Sequence, residues 1–317
     1  MKCRQLLWAM VVLLSVTAVH ADPLTLLRAG RADEALAALL PRIEKDPTDA
    51  EALHLISRVH YQLGQWDDAI RAAEKAVHLK PDNSEYHLWL GRAYGMKAES
   101  NGPVGALMLV RKVKAEFEKA VALDARNLAA ATDLAEFYTE APAIMGGDRS
   151  KARLLAERVL QQDAAQGHSM RAMIEANKKN PHAEEEYKAA LSASGNRARH
   201  WINLAAYYRE LGRLDDMEAA IQKAWTAPRS ENTPLFDGAA LLLRAGRNFP
   251  GAIEMLRAYL APDMPEEDGP AFQAHLYLGQ LLESQGDKSA AADEYRASLA
   301  LASRYKPAQD ALLRISR

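Results

Sequence analysis

Apolar, small and turn-forming residues recur along this chain with a period of 34 residues. Gly64, Ala69 and Pro81 in the stretch 50–83 each have an identical residue 34 positions earlier. The counterparts are Gly30, Ala35 and Pro47. A fixed period of this length is typical of stacked helix pairs, because each pair leaves one apolar face open and only the next pair covers it. The pattern therefore predicts an all-α protein built from repeated helix pairs.

The stretch 50–83 also resembles a tetratricopeptide repeat. Its residues occupy the family's small, large and helix-ending positions, and they are Ser57, His60, Gly64, Trp66, Ala69, Ala73, Ala76 and Pro81. His60 and Ala73 depart from the residue types that the family prefers there. The small residues of such a repeat let its two helices approach closely, and aromatic residues fill the space between repeats.

The same register continues through nearly all of the chain after residue 21. It predicts eight repeats and a cap, with bounds at 22–49, 50–83, 84–127, 128–163, 164–197, 198–232, 233–271, 272–303 and 304–317. The resemblance implies a right-handed superhelical solenoid of about eight helix pairs plus a C-terminal capping helix.

Two neighbouring repeats carry extra residues at the same edge of this array, at 98–109 and 141–147. In the first insertion, Asn101-Gly102-Pro103 predicts a turn. We expect the extra residues to lengthen the second helix of that pair at its start.

Residues 1–21 are expected to be a cleaved bacterial signal peptide. Lys2 and Arg4 form a basic start, Leu6 to Leu14 is apolar, and Ala21 supplies the small residue before a cleavage site. An uncleaved anchor is the alternative, but its apolar run is shorter than the ~20 residues that a membrane span needs. Cleavage after Ala21 predicts a periplasmic or secreted protein with no stable membrane span.

Charge and cysteine content narrow the range of partners. The formal charge is −2, and removal of Lys2 and Arg4 with the leader makes it −4. This balance gives no positive field for a polyanion, so nucleic acid is not an expected partner. Cys3 is the only cysteine, so the mature chain would have no thiol and would suit an oxidising compartment.

No motif predicts a catalytic residue, a metal site or a cofactor. The nine histidines include no HExxH pair, and the sequence has neither a serine nucleophile elbow nor a phosphate loop. Gly146-Gly147-Asp148 precedes a predicted helix and could offer backbone N–H groups to an anion. A turn capped by Asp148 or Ser150 is the simpler interpretation. The sequence thus favours a non-enzymatic protein.

The family resemblance implies a concave groove, lined by the first helix of each pair, that binds a protein or a peptide. Transferred to this chain, the groove positions are His54, Arg58, Tyr61, Gln62, Leu88, Arg92, Thr132, Glu136, Arg199, Arg209 and Gln280. Arginine and tyrosine are effective recognition residues because both combine a large contact area with a polar tip. The alternative is a solvated helix face without a partner.

The two insertions provide a second candidate surface at the edge of the array. Its apolar members are Leu107, Met108, Ile144 and Met145. They either cover one another as a local core or form an exposed Met-rich patch that accepts apolar side chains of a partner.

These observations predict an exported interaction scaffold without catalytic activity. The resemblance suggests assembly of envelope, secretion or pilus machinery as its setting. The alternative is an accessory or regulatory subunit of a periplasmic cell-wall or protease enzyme. Neither the partner nor the oligomeric state follows from the sequence.

Overall fold

Helix pairs account for the regular structure of the chain. The computed structural model describes residues 21–177, 180–261 and 268–316, so all but the last residue of the expected leader lies outside the described residues. Within these ranges the regular elements are helical, and the predicted all-α solenoid is confirmed.

Seventeen α-helices and one 3-10 turn are found in the described residues. They are α1 (Pro23–Arg28), α2 (Ala32–Lys45), α3 (Ala50–Gln62), α4 (Trp66–Leu79), α5 (Ser84–Ser100), α6 (Gly102–Leu123), α7 (Leu128–Glu140), the 3-10 turn (Ala143–Met145), α8 (Arg149–Gln162), α9 (Ala164–Ala176), α10 (His182–Ser194), α11 (Ala198–Glu210), α12 (Leu214–Thr226), α13 (Thr233–Ala245), α14 (Phe249–Tyr259), α15 (Ala271–Ser284), α16 (Lys288–Leu301) and α17 (Lys306–Ile315). None of the helices in these ranges has the length and apolarity needed to cross a bilayer.

Side-chain caps start several of these helices. Asp49 and Asn127 each accept a hydrogen bond from the backbone N–H three residues later, at 3.0 and 2.9 Å. Such a cap satisfies one of the free N–H groups of the first turn. Where the two helices of a pair meet, small residues such as Ala69 and Ala291 have no exposed surface, so the helix backbones lie close together.

The first insertion lengthens both helices of its pair. The helix α6 has 22 residues, as the expected extension of the second helix requires, but α5 also has 17 residues where α3 and α7 have 13. The expected lengthening of the second helix is therefore present, and the first helix of the pair is lengthened as well. Asn101 ends α5, and Gly102 opens α6 with a positive φ of +68°.

The first helix pair packs against the last one, so the array closes into a ring. The backbone N–H of Ser303, after α16, donates a hydrogen bond to Oδ2 of Asp33 in α2 at 2.9 Å. Gly30 lies directly against the backbone of Pro270 and Ala271. Since each helix pair also contacts the next pair along the chain, the first helices surround a common interior.

Gly30 allows a specific test of this closure. A Cβ atom at Gly30 would lie 2.2 Å from the backbone nitrogen of Ala271, whereas one at Gly212 would have no neighbour within 4 Å. The two glycines have similar φ values, +67° and +72°. Alanine at either position therefore adds about 1 to 3 kcal/mol of backbone strain. We expect Gly30→Ala to lose a further ~1 to 3 kcal/mol from overpacking and to open the ring.

Denaturant unfolding and small-angle X-ray scattering would check this. Gly30→Ala should be less stable than Gly212→Ala and should have a larger radius of gyration. Equal stability and an unchanged radius of gyration in both variants would contradict the closed ring.

Candidate functional site

The interior of the ring contains a cavity of about 690 Å³, which we call the central cavity. The first helices α3, α5, α7, α11 and α13 line it, together with α6 and both insertions. A second cavity of about 510 Å³, the side cavity, shares four lining residues with it. These are Arg92, Asp133, Arg199 and Asp268.

One end of the central cavity is apolar. Its side chains come from α5, α6, α7 and the second insertion, and they are Met96, Val110, Phe137, Pro142 and Met145. The ring thus places the predicted groove and the edge next to each other, because the lengthened α5 and α6 and the 141–147 loop all reach this end.

The other end is built around stacked and paired arginines. The guanidinium groups of Arg58 and Arg92 lie 4.9 and 4.8 Å from the ring centroid of Trp89. Nε of Arg92 also donates to Oδ2 of Asp133 at 2.6 Å. Stacking on the indole ring and hydrogen bonding to the carboxylate together fix the plane of the guanidinium group. Arg92 is therefore held rigidly at the cavity wall. Tyr61 packs edge-on against the same Trp89, with centroids 5.3 Å apart.

A second arginine at this end joins neighbouring helix pairs. Nε of Arg199 donates to Oε1 of Glu231 at 2.6 Å, and its terminal nitrogen lies 3.4 Å from Oδ2 of Asp237. Desolvation raises the pKa of Asp237 to about 6 despite the opposing effect of Arg199, and the charge of Asp268 adds to the increase.

Glutamates of α5 and α7 also line the central cavity. The Glu136 side chain is exposed to the interior of the ring, where it lines the central cavity. Desolvation, with the charges of Glu140, Asp133 and Glu99, raises the pKa of Glu136 to about 7. Desolvation also raises the pKa of Glu140. Within the described ranges, no three or more His, Cys, Asp or Glu side chains form a group that could hold a metal ion.

The predicted groove residues fall into three sets. Tyr61, Arg92, Glu136 and Arg199 line the central cavity, and Thr132 lines the side cavity beside Arg92 and Arg199. Arg58 stacks on Trp89 and lies outside the lining residues of both cavities. Outside both sets of lining residues are Gln62, Arg209 and Gln280. The Gln62 amide instead donates to the backbone oxygen of Leu27 at 3.4 Å.

Two groove predictions need correction. Leu88 is 1% exposed and His54 is 5% exposed, so neither offers a surface to a partner. Leu88 belongs to a buried apolar cluster with residues of α4, α6 and α7. His54 stacks on Tyr86 with centroids 4.5 Å apart, and burial lowers its pKa to about 3, so it is neutral at pH 7.

The edge residues are more open than a local core allows. Leu107, Met108 and Ile144 are 43%, 76% and 90% exposed, whereas Met145 is half-buried and lines the central cavity. Leu107, Met108 and Ile144 are therefore not buried as a local core, and a patch that binds a partner stays a prediction. Met145 belongs to the cavity instead.

Sequence reasoning missed several lining residues. Trp89 could have been found, because it lies three residues before Arg92 and therefore on the same face of α5. Asp133 lies on α7 at a position that the family pattern does not assign to the groove. Asp237 occupies on α13 the same repeat position as Thr132 on α7, so the register could have found it. Asp268 precedes α15 and meets Arg92 only because the ring closes, so no local pattern points to it.

Comparison with known proteins places these features in a family. Two models of the tetratricopeptide repeat match residues 26–94 and 238–306. The cytochrome c-type biogenesis protein CycH of Bradyrhizobium diazoefficiens is 32% identical over 97 residues, which are 31% of this chain and 24% of that protein. The chain therefore spans about a quarter of the length of this relative.

Solved structures share the fold at low sequence identity. Yeast Tom70 is 11% identical with a TM-score of 0.50, covering 90% of this chain and 78% of that one. A tetratricopeptide repeat protein of Thermus thermophilus is 20% identical with a TM-score of 0.43, covering 68% and 92% of the two chains. At these identities the similarity concerns the fold alone.

The raised pKa of Glu136 can be measured directly. In a carbon-13 titration of glutamate carboxyl groups, one resonance should titrate near pH 7 and be missing in Glu136→Gln. Because ionisation of this carboxyl is less favourable in the folded protein, its contribution to stability should fall as pH rises from about 4.3 towards 7. Glu136→Gln should therefore gain stability over the parent at pH 8, and the gain should shrink towards pH 5. A spectrum in which every glutamate titrates below about pH 5 would contradict the geometry of the cavity wall.

Proposed function

The chain belongs to the tetratricopeptide repeat family, and on that premise we propose that it is a non-enzymatic scaffold that binds an extended segment of a partner protein in its central cavity. The observation that carries the proposal is the cavity itself, which joins an apolar end to a rigid, charged end inside the ring. Repeat proteins of this kind use their concave surfaces for binding. At about 690 Å³ the cavity also has the size of a typical ligand site.

The composition of the cavity wall argues for binding rather than catalysis. Among its described lining residues, there is no serine, threonine, cysteine or histidine to act as a nucleophile or as an imidazole base. Arg92 and Arg199 already pair with Asp133 and Asp237, so their role is to hold the wall in place. For this reason a charge reversal at Arg92 would disturb the wall itself and would be a poor probe of binding.

The proposal includes export and processing after Ala21. The basic start, the apolar run and the small residue before the cleavage position support it. In this proposal the protein acts in the periplasm or outside the cell, in envelope, secretion or pilus assembly. N-terminal sequencing of protein recovered from the periplasm should start at Asp22, and an intact Met1 on that protein would contradict processing.

A second candidate function comes from the similarity to CycH. A relative named for cytochrome c-type biogenesis favours a partner-binding role in the maturation of c-type cytochromes. An accessory or regulatory subunit of a periplasmic cell-wall or protease enzyme is a further form of the same scaffold. The identity of the captured partner in the experiment below separates these settings.

Blocking the central cavity tests the proposed function. Gly95 lies on α5 at the cavity wall, and a Cβ atom built there has no neighbour within 4 Å. A Gly95→Trp side chain should fill part of the cavity without strain in the helix. We expect a partner captured from envelope extract by the parent, and identified by mass spectrometry, to bind Gly95→Trp at least about tenfold more weakly, because the indole occupies its site.

Ala219→Trp is the matched control, since Ala219 is exposed on α12 and lies outside both sets of cavity-lining residues. Isothermal titration calorimetry with the purified partner would give its affinity for the parent, for Gly95→Trp and for Ala219→Trp. A partner that binds the parent and Gly95→Trp equally would place the site outside the central cavity.

A further inference from the structure

The charge of the central cavity points to the chemistry of its partner. We infer that it takes a segment carrying a lysine or arginine side chain next to apolar side chains. This inference rests on the proposed function and goes beyond it by naming the kind of sequence that binds.

Negative charge exceeds positive charge around the cavity. Six carboxylates line it, and they are Glu99, Asp133, Glu136, Glu140, Asp237 and Asp268. Only two cations do so among the described lining residues, Arg92 and Arg199, and each already forms an ion pair with a carboxylate of the wall. In the part of the chain that the structure describes, Glu99, Glu136 and Glu140 form no ion pair within 4.0 Å.

The side cavity does not share this excess. The side cavity has four arginines and four carboxylates among its described lining residues, so its charges balance. The unbalanced carboxylates lie instead beside the apolar end, because Glu136 and Glu140 flank Phe137 on α7 and Glu99 follows Met96 on α5.

The arrangement on α7 is unfavourable for the isolated helix. Glu136 and Glu140 are four residues apart, where like charges repel each other across one helix turn. Glu140 is also the last residue of α7, at the end where the helix dipole favours a cation, and no basic residue stands in that last turn. A bound cation would relieve both effects, and the raised pKa of Glu136 is consistent with an uncompensated negative site.

The apolar wall explains why the cation should belong to a peptide. Lysine and arginine carry an apolar stem that packs along apolar side chains while the charged head stays at a polar site. Here Met96, Phe137 and Met145 offer a surface for the stem, and flexible methionine side chains adapt to different neighbours. Glu136 and Glu140 lie where the charged head would end.

Selection from a library of random twelve-residue peptides displayed on phage tests the inference. The parent protein is the target of the selection. Phage that also bind the Gly95→Trp variant are discarded, because their peptides bind outside the central cavity. We expect the enriched sequences to carry a net positive charge with apolar residues next to each lysine or arginine.

Synthetic peptides from that selection allow a matched comparison of charge. Anisotropy titrations should show about fivefold weaker binding to the double variant Glu136→Gln/Glu140→Gln, since it removes both carboxylates that face the basic side chain of the peptide. Replacing the basic residue of the peptide by glutamine should weaken binding to a similar degree. The control is Glu44→Gln/Asp82→Gln, which removes two exposed carboxylates outside the cavity and should leave the affinity unchanged.

The outcomes separate this inference from the proposed function. Enrichment of acidic or uncharged peptides that bind the parent but not Gly95→Trp would overturn the inferred chemistry. The proposed scaffold function would still stand. Equal affinity for the parent and Glu136→Gln/Glu140→Gln would likewise overturn the inferred chemistry alone. If the parent enriches no peptides beyond those that Gly95→Trp also binds, both the inference and the proposed binding of extended segments are overturned.

Discussion

Each helix pair in this protein has to cover the apolar face of the pair before it, and the rest of the structure depends on that contact. Small residues such as Ala69 and Ala291, which have no exposed surface, let the two helices of one pair lie close together and present a common apolar face. Because the requirement repeats along the chain, the first helices all face the same side. The central cavity follows from this geometry once α2 and α16 meet.

The interior surface is held by charges rather than by apolar packing alone. Arg92 joins α5 to α7 through Asp133, and Arg199 joins α11 to α13 through Asp237. Guanidinium groups suit this task because they make planar, directional hydrogen bonds to carboxylates and stack on aromatic rings. The same wall carries Glu136 and Glu140 four residues apart on α7, where their charges repel each other and where the inferred basic segment would relieve the repulsion.

The sequence predicted the repeated helix pairs because the period depends on contacts between residues close in the chain. The register also placed Arg92 and Arg199 correctly on helices that face the interior. It could not separate them from Leu88, since a family position specifies a helix face but not how closely the next helix covers it. The position of Asp268 beside Arg92 lay beyond prediction, because it depends on a closure between residues far apart in the sequence.

The contact between Asp33 and Ser303 also changes how stability is shared along the chain. In an open array the free energy is approximately a sum of terms for each unit and its nearest neighbours, so end units unfold first and the rest follows in steps. A ring gives the first and last units a neighbour on both sides. Its unfolding has no preferred starting point at an end, and the loss of one unit exposes two interfaces at once. The closed form of this protein therefore joins its helix pairs into one cooperative unit.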